Sequence, residues 1–214
     1  MALILSLQGC MAVGKTSAAR YLEAHAPYLH ISYEDNAGVM EEVRRRGLNK
    51  SVYSDYLEIQ KLWIAKEVCR WEEAQACPCT VMDFGAEEIE FYTLRYPRTI
   101  GQNWEIEAPL EKELAALRRC LPQRILFLDA SDQTLRQRKA LDASRSREFF
   151  DHYLSALLPP KRSWFLSRED VDVLRTDSLS PEQVGQRVKD WTDRILLQQD
   201  KEKINHGYSL FRQP

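Results

Sequence analysis

The consecutive residues Gly9-Cys10-Met11-Ala12-Val13-Gly14-Lys15-Thr16 match the pattern G-x-x-x-x-G-K-[ST]. Their types suit one task, holding a polyphosphate. Glycines let the backbone curl until several N–H groups converge on one phosphate. Lys15 brings a mobile positive charge to the terminal phosphates, and the Thr16 hydroxyl is suited to a Mg²⁺ ion. A helix opening near Gly14 adds its positive N-terminal end, with Ser17 in its first turn. Gly9 to Ser17 are therefore the candidate nucleotide-binding residues. Cys10 sits inside the loop, which works through backbone donors. Its side chain is expected to be packed or idle, and its alkylation or oxidation would cost nucleotide binding.

The flanks supply the context this chemistry needs. Ala2-Leu3-Ile4-Leu5-Ser6-Leu7 is a short apolar run that reads as a buried strand. Ser17 to His25 is a good helix former, with Ala18, Tyr21, Leu22 and His25 on one side. Beyond it, strand and helix patterns alternate. Strands are expected over 28–32, 80–83, 124–129 and 171–175. Helices are expected over 37–46, 55–76, 87–95, 109–120, 132–141 and 147–158, and from Ser180 to about Gln199. Gly47 is a stop signal, Tyr96-Pro97 a break, and Ser180-Pro181 a start. This order predicts an α/β fold of three layers, a five-stranded parallel sheet with helices on both faces. Residues 1–199 form one domain, and 200–214 a polar tail.

Composition narrows the partners. The chain has 214 residues and a formal net charge of −2, so no global basic field draws it to nucleic acid. No apolar stretch has the length of a membrane span, and the first strand begins where a signal peptide would stand. Five scattered cysteines imply free thiols and a cytoplasmic home. Cys77-Pro78-Cys79 lacks a second pair at zinc-site distance and reads as a turn entering a strand.

Two strand ends and one arginine-rich stretch offer further chemistry. Glu34 and Asp35 lie just past the carboxyl end of the second strand, where open α/β sheets bind ligands. Asp35 can equally cap the next helix. Asp83 ends the third strand and is a candidate to hold Mg²⁺ through water. Arg136, Arg138, Arg145 and Arg147 lie within a candidate lid at about 136–150 and are placed to cover a transferring phosphate, although any one of them suits a solvated helix face. Asp83 to Trp104 mixes acids with aromatic rings that can stack on a flat substrate.

Missing motifs exclude rivals. A GTPase base-reading motif fails at Asn49-Lys50-Ser51-Val52, and the third strand ends in Asp83-Phe84 where transporter-type ATPases carry Asp-Glu. What remains resembles the adenylate-kinase-like group of small-molecule and nucleoside or nucleotide kinases. The resemblance rests on the loop at 9–16, on His30 to Asp35, on Val81-Met82-Asp83 and on Arg136 to Arg147, in that order. It implies ATP and Mg²⁺ as cofactors, Lys15, Arg145 and Arg147 as catalytic, and Arg136 and Arg138 on the donor phosphates. It also implies Asp35 as the first choice of general base, with Glu34 close behind. Departures matter too, since Asp-Gly-x-Pro-Arg, Glu-Arg-Ser and Asp-Arg-Tyr/Phe/His are all missing. The expected activity is ATP-dependent phosphoryl transfer to a small-molecule acceptor, with a nucleoside as one candidate. A nucleoside monophosphate kinase, an ATP-binding switch and an RNA-end kinase are the alternatives, the last disfavoured by the net charge. The 55–76 helix, with Trp63 and Trp71, offers a face for a homodimer.

Overall fold

The computed structural model describes residues 2–141 and 149–210, with side chains as far as Lys201. The first half runs β1 (Leu3–Gly9), α1 (Lys15–His25), β2 (His30–Ser32), α2 (Ala37–Arg46), α3 (Tyr53–Ala74), β3 (Cys79–Asp83) and α4 (Ala86–Thr99). The second half runs α5 (Glu111–Arg118), β4 (Arg124–Asp129), α6 (Asp132–Leu141), α7 (Phe150–His152), a π-helical turn (Tyr153–Leu157), α8 (Leu158–Leu166), β5 (Val171–Arg175) and α9 (Pro181–Leu210).

The strands form one parallel sheet in the order β2-β3-β1-β4-β5, as the alternating pattern requires. Because all strands run the same way, Gly9, Ser32, Asp83 and Asp129 come out along one edge. β1 lies in the middle and is buried along its length. Its side chains alternate between faces. Leu3, Leu5 and Leu7 enter the large core, while Ile4 packs with Ala74 and Met82 on the other side. The same second face carries Ser6 and Gln8, which are fully buried polar residues.

Three expected boundaries move, each for a physical reason. The Tyr96-Pro97 break is absent, and α4 runs on to Thr99. Pro97 has no N–H for the Thr93 carbonyl one turn earlier. The Tyr56 hydroxyl of α3 donates to that carbonyl at 2.9 Å instead. The helix expected to stop at Leu158 restarts there, with Pro159 and Pro160 in the first turn of α8, where no intrahelical donor is needed. Lastly, α9 continues past Gln199 through much of the segment expected as a tail, to Leu210.

Tyr56 is fully buried and its hydroxyl also reaches the Tyr92 carbonyl at 3.2 Å. Tyr56→Phe therefore leaves a buried carbonyl short of a donor. It should lower unfolding free energy by about 1–3 kcal/mol in urea titrations, with little change in the m-value.

Candidate active site

The loop after β1 takes its shape from a few backbone angles. Gly9 has φ +138°, and a Cβ there would stand 2.2 Å from the Leu128 carbonyl oxygen of the neighbouring strand. Ala12 and Gly14 also have positive φ. Cys10 and Val13 point into the core and anchor the loop, while Met11 and Ala12 are half-buried and Ser17 is exposed. Cys10 is packed, as expected, and burial pushes its thiol up to about 11. Lys15 Nζ donates to the carbonyls of Gly9 (3.1 Å) and Cys10 (3.2 Å).

The Thr16 hydroxyl donates to the Asp83 carboxylate at 2.8 Å. Asp83 is buried at the end of β3, in register with Leu7 of β1. A hydroxyl and a carboxylate oxygen side by side are the hard donors that Mg²⁺ prefers. The expected grouping of loop lysine, threonine and strand-end aspartate is thus formed in space.

The arginines divide. Arg138 reaches under the loop from α6, donating to the Val13 carbonyl (3.2 Å) and the Thr176 hydroxyl (3.0 Å). It braces the loop. Arg136 turns outward to Asp151 at 2.6 Å and stays away from the loop. Arg145 and Arg147 lie outside the described residues.

Glu34 and Asp35 are both exposed and both line the mouth of one cleft. Asp35 is exposed, accepts from the Ala37 N–H at 3.2 Å and pairs with Lys66 at 3.4 Å. The Ala37 bond, helped by Lys66, holds its carboxyl below the usual range. The carboxylate that sequence reasoning puts first as general base thus meets the start of α2 and Lys66. Glu34 is exposed as a residue, while the protein packed around its carboxylate raises its pKa. Asn36 and Lys15 oppose that rise, while Asp83 and Glu88 add to it, and the Asn36 side-chain amide donates to the Glu34 carboxylate.

Glu34, Asp35 and Asn36 edge a cleft lined by Trp63, Lys66, Glu67 and Arg70 of α3, with Phe84 and Ile89 opposite. Arg70 is buried, bonds Glu67 at 3.0 Å and donates to the Phe84 carbonyl. Phe84 holds φ +50°, and its ring lies 5.3 Å from the Arg70 guanidinium. Burial raises the Glu67 carboxyl to about 7 against the pull of Arg70. On α4, Tyr92 and Tyr96 stack at 4.8 Å, and Lys50 sits over Tyr96 (5.0 Å) and Phe149 (4.9 Å). The other rings expected here are core. Phe91 packs on Trp164 and Phe165, and Trp104 packs on Tyr53 and Tyr56. Trp63 lines the cleft and Trp71 covers the Ile4 cluster, so both rings suggested for a dimer face are engaged within the chain.

Sequence reasoning missed a polar seam behind the loop. Glu87 is fully buried, accepting from Ser6 and from Gln8 (2.6 Å), and burial raises its carboxyl against those two donors. Its neighbour Glu88 pairs with Lys161 of α8, itself buried, at 2.5 Å. The signal for Glu87 was the polar pair Ser6 and Gln8 in an otherwise apolar strand. Lys161 gives none, because a lysine after two prolines reads as surface.

No family model matches the chain, and no curated protein matches it. Solved structures do. A deoxyadenosine kinase from M. mycoides, solved with dCMP and a flexible dCDP, aligns with TM-score 0.59 at 11% identity over 90% of this chain and 100% of that one. A thymidylate kinase from Candida albicans aligns with TM-score 0.61 at 13% identity, over 90% and 92%. At such identities the likeness is one of fold: this chain has the fold of nucleoside and nucleotide phosphate-loop kinases.

Proposed function

We propose that the protein is a phosphotransferase that moves the terminal phosphoryl group of ATP to a hydroxyl of a small acceptor, a nucleoside by preference. The observation that carries this reading is the convergence of Lys15, the Thr16–Asp83 pair and Glu34 on one sheet edge. Thr16 and Asp83 would hold Mg²⁺, which supplies charge neutralisation to the donor phosphates. Lys15 draws the terminal phosphates into place. Glu34 orients the acceptor hydroxyl and takes its proton as that oxygen bonds to the terminal phosphorus. The bond from that phosphorus to the ADP oxygen breaks, and ADP leaves with the electron pair.

The cleft beside Glu34 favours a hydroxyl acceptor over a phosphate. Its cations Lys66 and Arg70 are already paired, with Asp35 and Glu67. The fold likeness to a thymidylate kinase makes a nucleoside monophosphate the second reading. Among the described residues no helix is long and apolar enough to cross a membrane. Cys10, Cys69, Cys77, Cys79 and Cys120 are free thiols, which suits a reducing cytoplasm.

A panel of nucleosides and nucleoside monophosphates, assayed by coupled ADP release, tests the reading. At least one acceptor should raise release well above background, and Lys15→Ala should cut it about 100-fold or more. Slow hydrolysis indifferent to every acceptor would instead mark a nucleotide switch.

The base is tested separately. Glu34→Gln should lower kcat about 100-fold or more, whereas Asp35→Asn should stay within about twofold of wild type. A base must be ionised to act, and the Glu34 carboxyl is raised. Activity should therefore fail as pH drops through that raised value, with the acidic limb of kcat/KM above the ordinary glutamate range. Equal losses in the two variants would remove Glu34 from the role.

A further inference from the structure

Lys161 is fully buried, with 1% of its side chain exposed. An ammonium has three hydrogens to donate. Here two of them meet the Gly9 carbonyl of the loop (3.2 Å) and the Tyr153 hydroxyl (2.9 Å), and the charge pairs with the Glu88 carboxylate at 2.5 Å. Tyr153 opens the π-helical turn, a distortion that recurs at functional sites. The rings of Tyr153 and Phe165 lie 5.7 and 5.5 Å from the same ammonium. Burying a lone lysine is costly, and burial does pull this ammonium down from its ordinary range, with Glu88 opposing. An apolar side chain would fill such a place at less cost, so the charge calls for a reason.

The shared acceptor supplies one. Gly9 O receives both Lys15 and Lys161. In the phosphate-binding role, Lys15 has to turn toward the donor and give up loop carbonyls. Lys161 comes from a different element and has no second duty. We propose that Lys161 is a positioning residue for the phosphate loop: it keeps the Gly9 carbonyl engaged while Lys15 serves the phosphates, and it ties the loop to Glu88 on the acceptor side. This inference rests on the donor-site reading above. It adds a second buried positive charge behind the loop, supplied by α8.

A direct binding measurement tests it without needing the acceptor. Lys161→Met leaves the half-buried Glu88 unpaired, so that variant alone loses stability for a reason unrelated to the loop. Lys161→Met/Glu88→Gln removes both charges and should restore the thermal midpoint toward that of Glu88→Gln alone. Calorimetric titration of these full-length variants with Mg²⁺–ATP then decides. A positioning role predicts that the double variant binds about tenfold more weakly than Glu88→Gln. Equal affinity in the two would make Lys161 a mere counter-ion for Glu88 and overturn this inference alone. A wild-type chain that binds neither ATP nor GTP would overturn the donor site and this inference with it.

Discussion

At Gly9 the chain runs so close to β4 that a single added carbon would collide with a carbonyl oxygen of Leu128, 2.2 Å away. Gly9 and Leu128 are register partners, so the contact belongs to the last rung of the central ladder. Most of the site depends on that approach. It ends β1, starts the turn that carries Lys15 and Thr16, and leaves the Gly9 carbonyl pointing where two ammonium groups can reach it. A residue with a Cβ would have to push the strands apart or swing the loop away. Either movement would separate Thr16 from Asp83, whose bond joins the first turn of α1 to the end of β3.

Behind that turn the protein buries charge, where most proteins would place hydrocarbon. Glu87 and Glu88 are adjacent in sequence at the start of α4 and point to different partners. One meets Ser6 and Gln8 under the sheet, the other meets Lys161 beside the loop. Buried ion pairs seldom add much net stability, because desolvation offsets attraction. What they add is a fixed geometry, since a half-satisfied network costs more than either extreme. The first turn of α4 is thereby locked to β1 on one side and to α8 on the other. Asp129 does similar work at the end of β4, where it gathers Arg162 and Arg175.

Much of this was legible in the residues. The loop motif and the alternation of apolar runs with amphipathic stretches specify the sheet, because both reflect local chemistry. Asp83 was legible as well, since a strand end beside a phosphate loop has few places to put a carboxylate. The choice between Asp35 and Glu34 was not. Past the last sheet-bonded residue the alternation of side chains ends, and direction is set by partners from distant segments, here Lys66 for Asp35. Pro97 misled because its missing donor is replaced by Tyr56, a residue about forty positions earlier. Lys161 was illegible for the same reason: its three partners come from β1, α4 and the π-helical turn.

The link between Tyr56 and the Thr93 carbonyl is joined by a second one, from the Thr93 hydroxyl to Gln60 at 2.8 Å. Both cross from α3 to α4, and both are buried. These helices supply Trp63, Lys66, Glu67 and Arg70 on one side of the cleft at Glu34 and Ile89 on the other. The two walls are thus riveted at a fixed span. If the proposed acceptor enters here, that fixed span would limit the thickness of what fits. Selectivity would then evolve by exchanging the side chains that face the gap, while the gap itself stays constant.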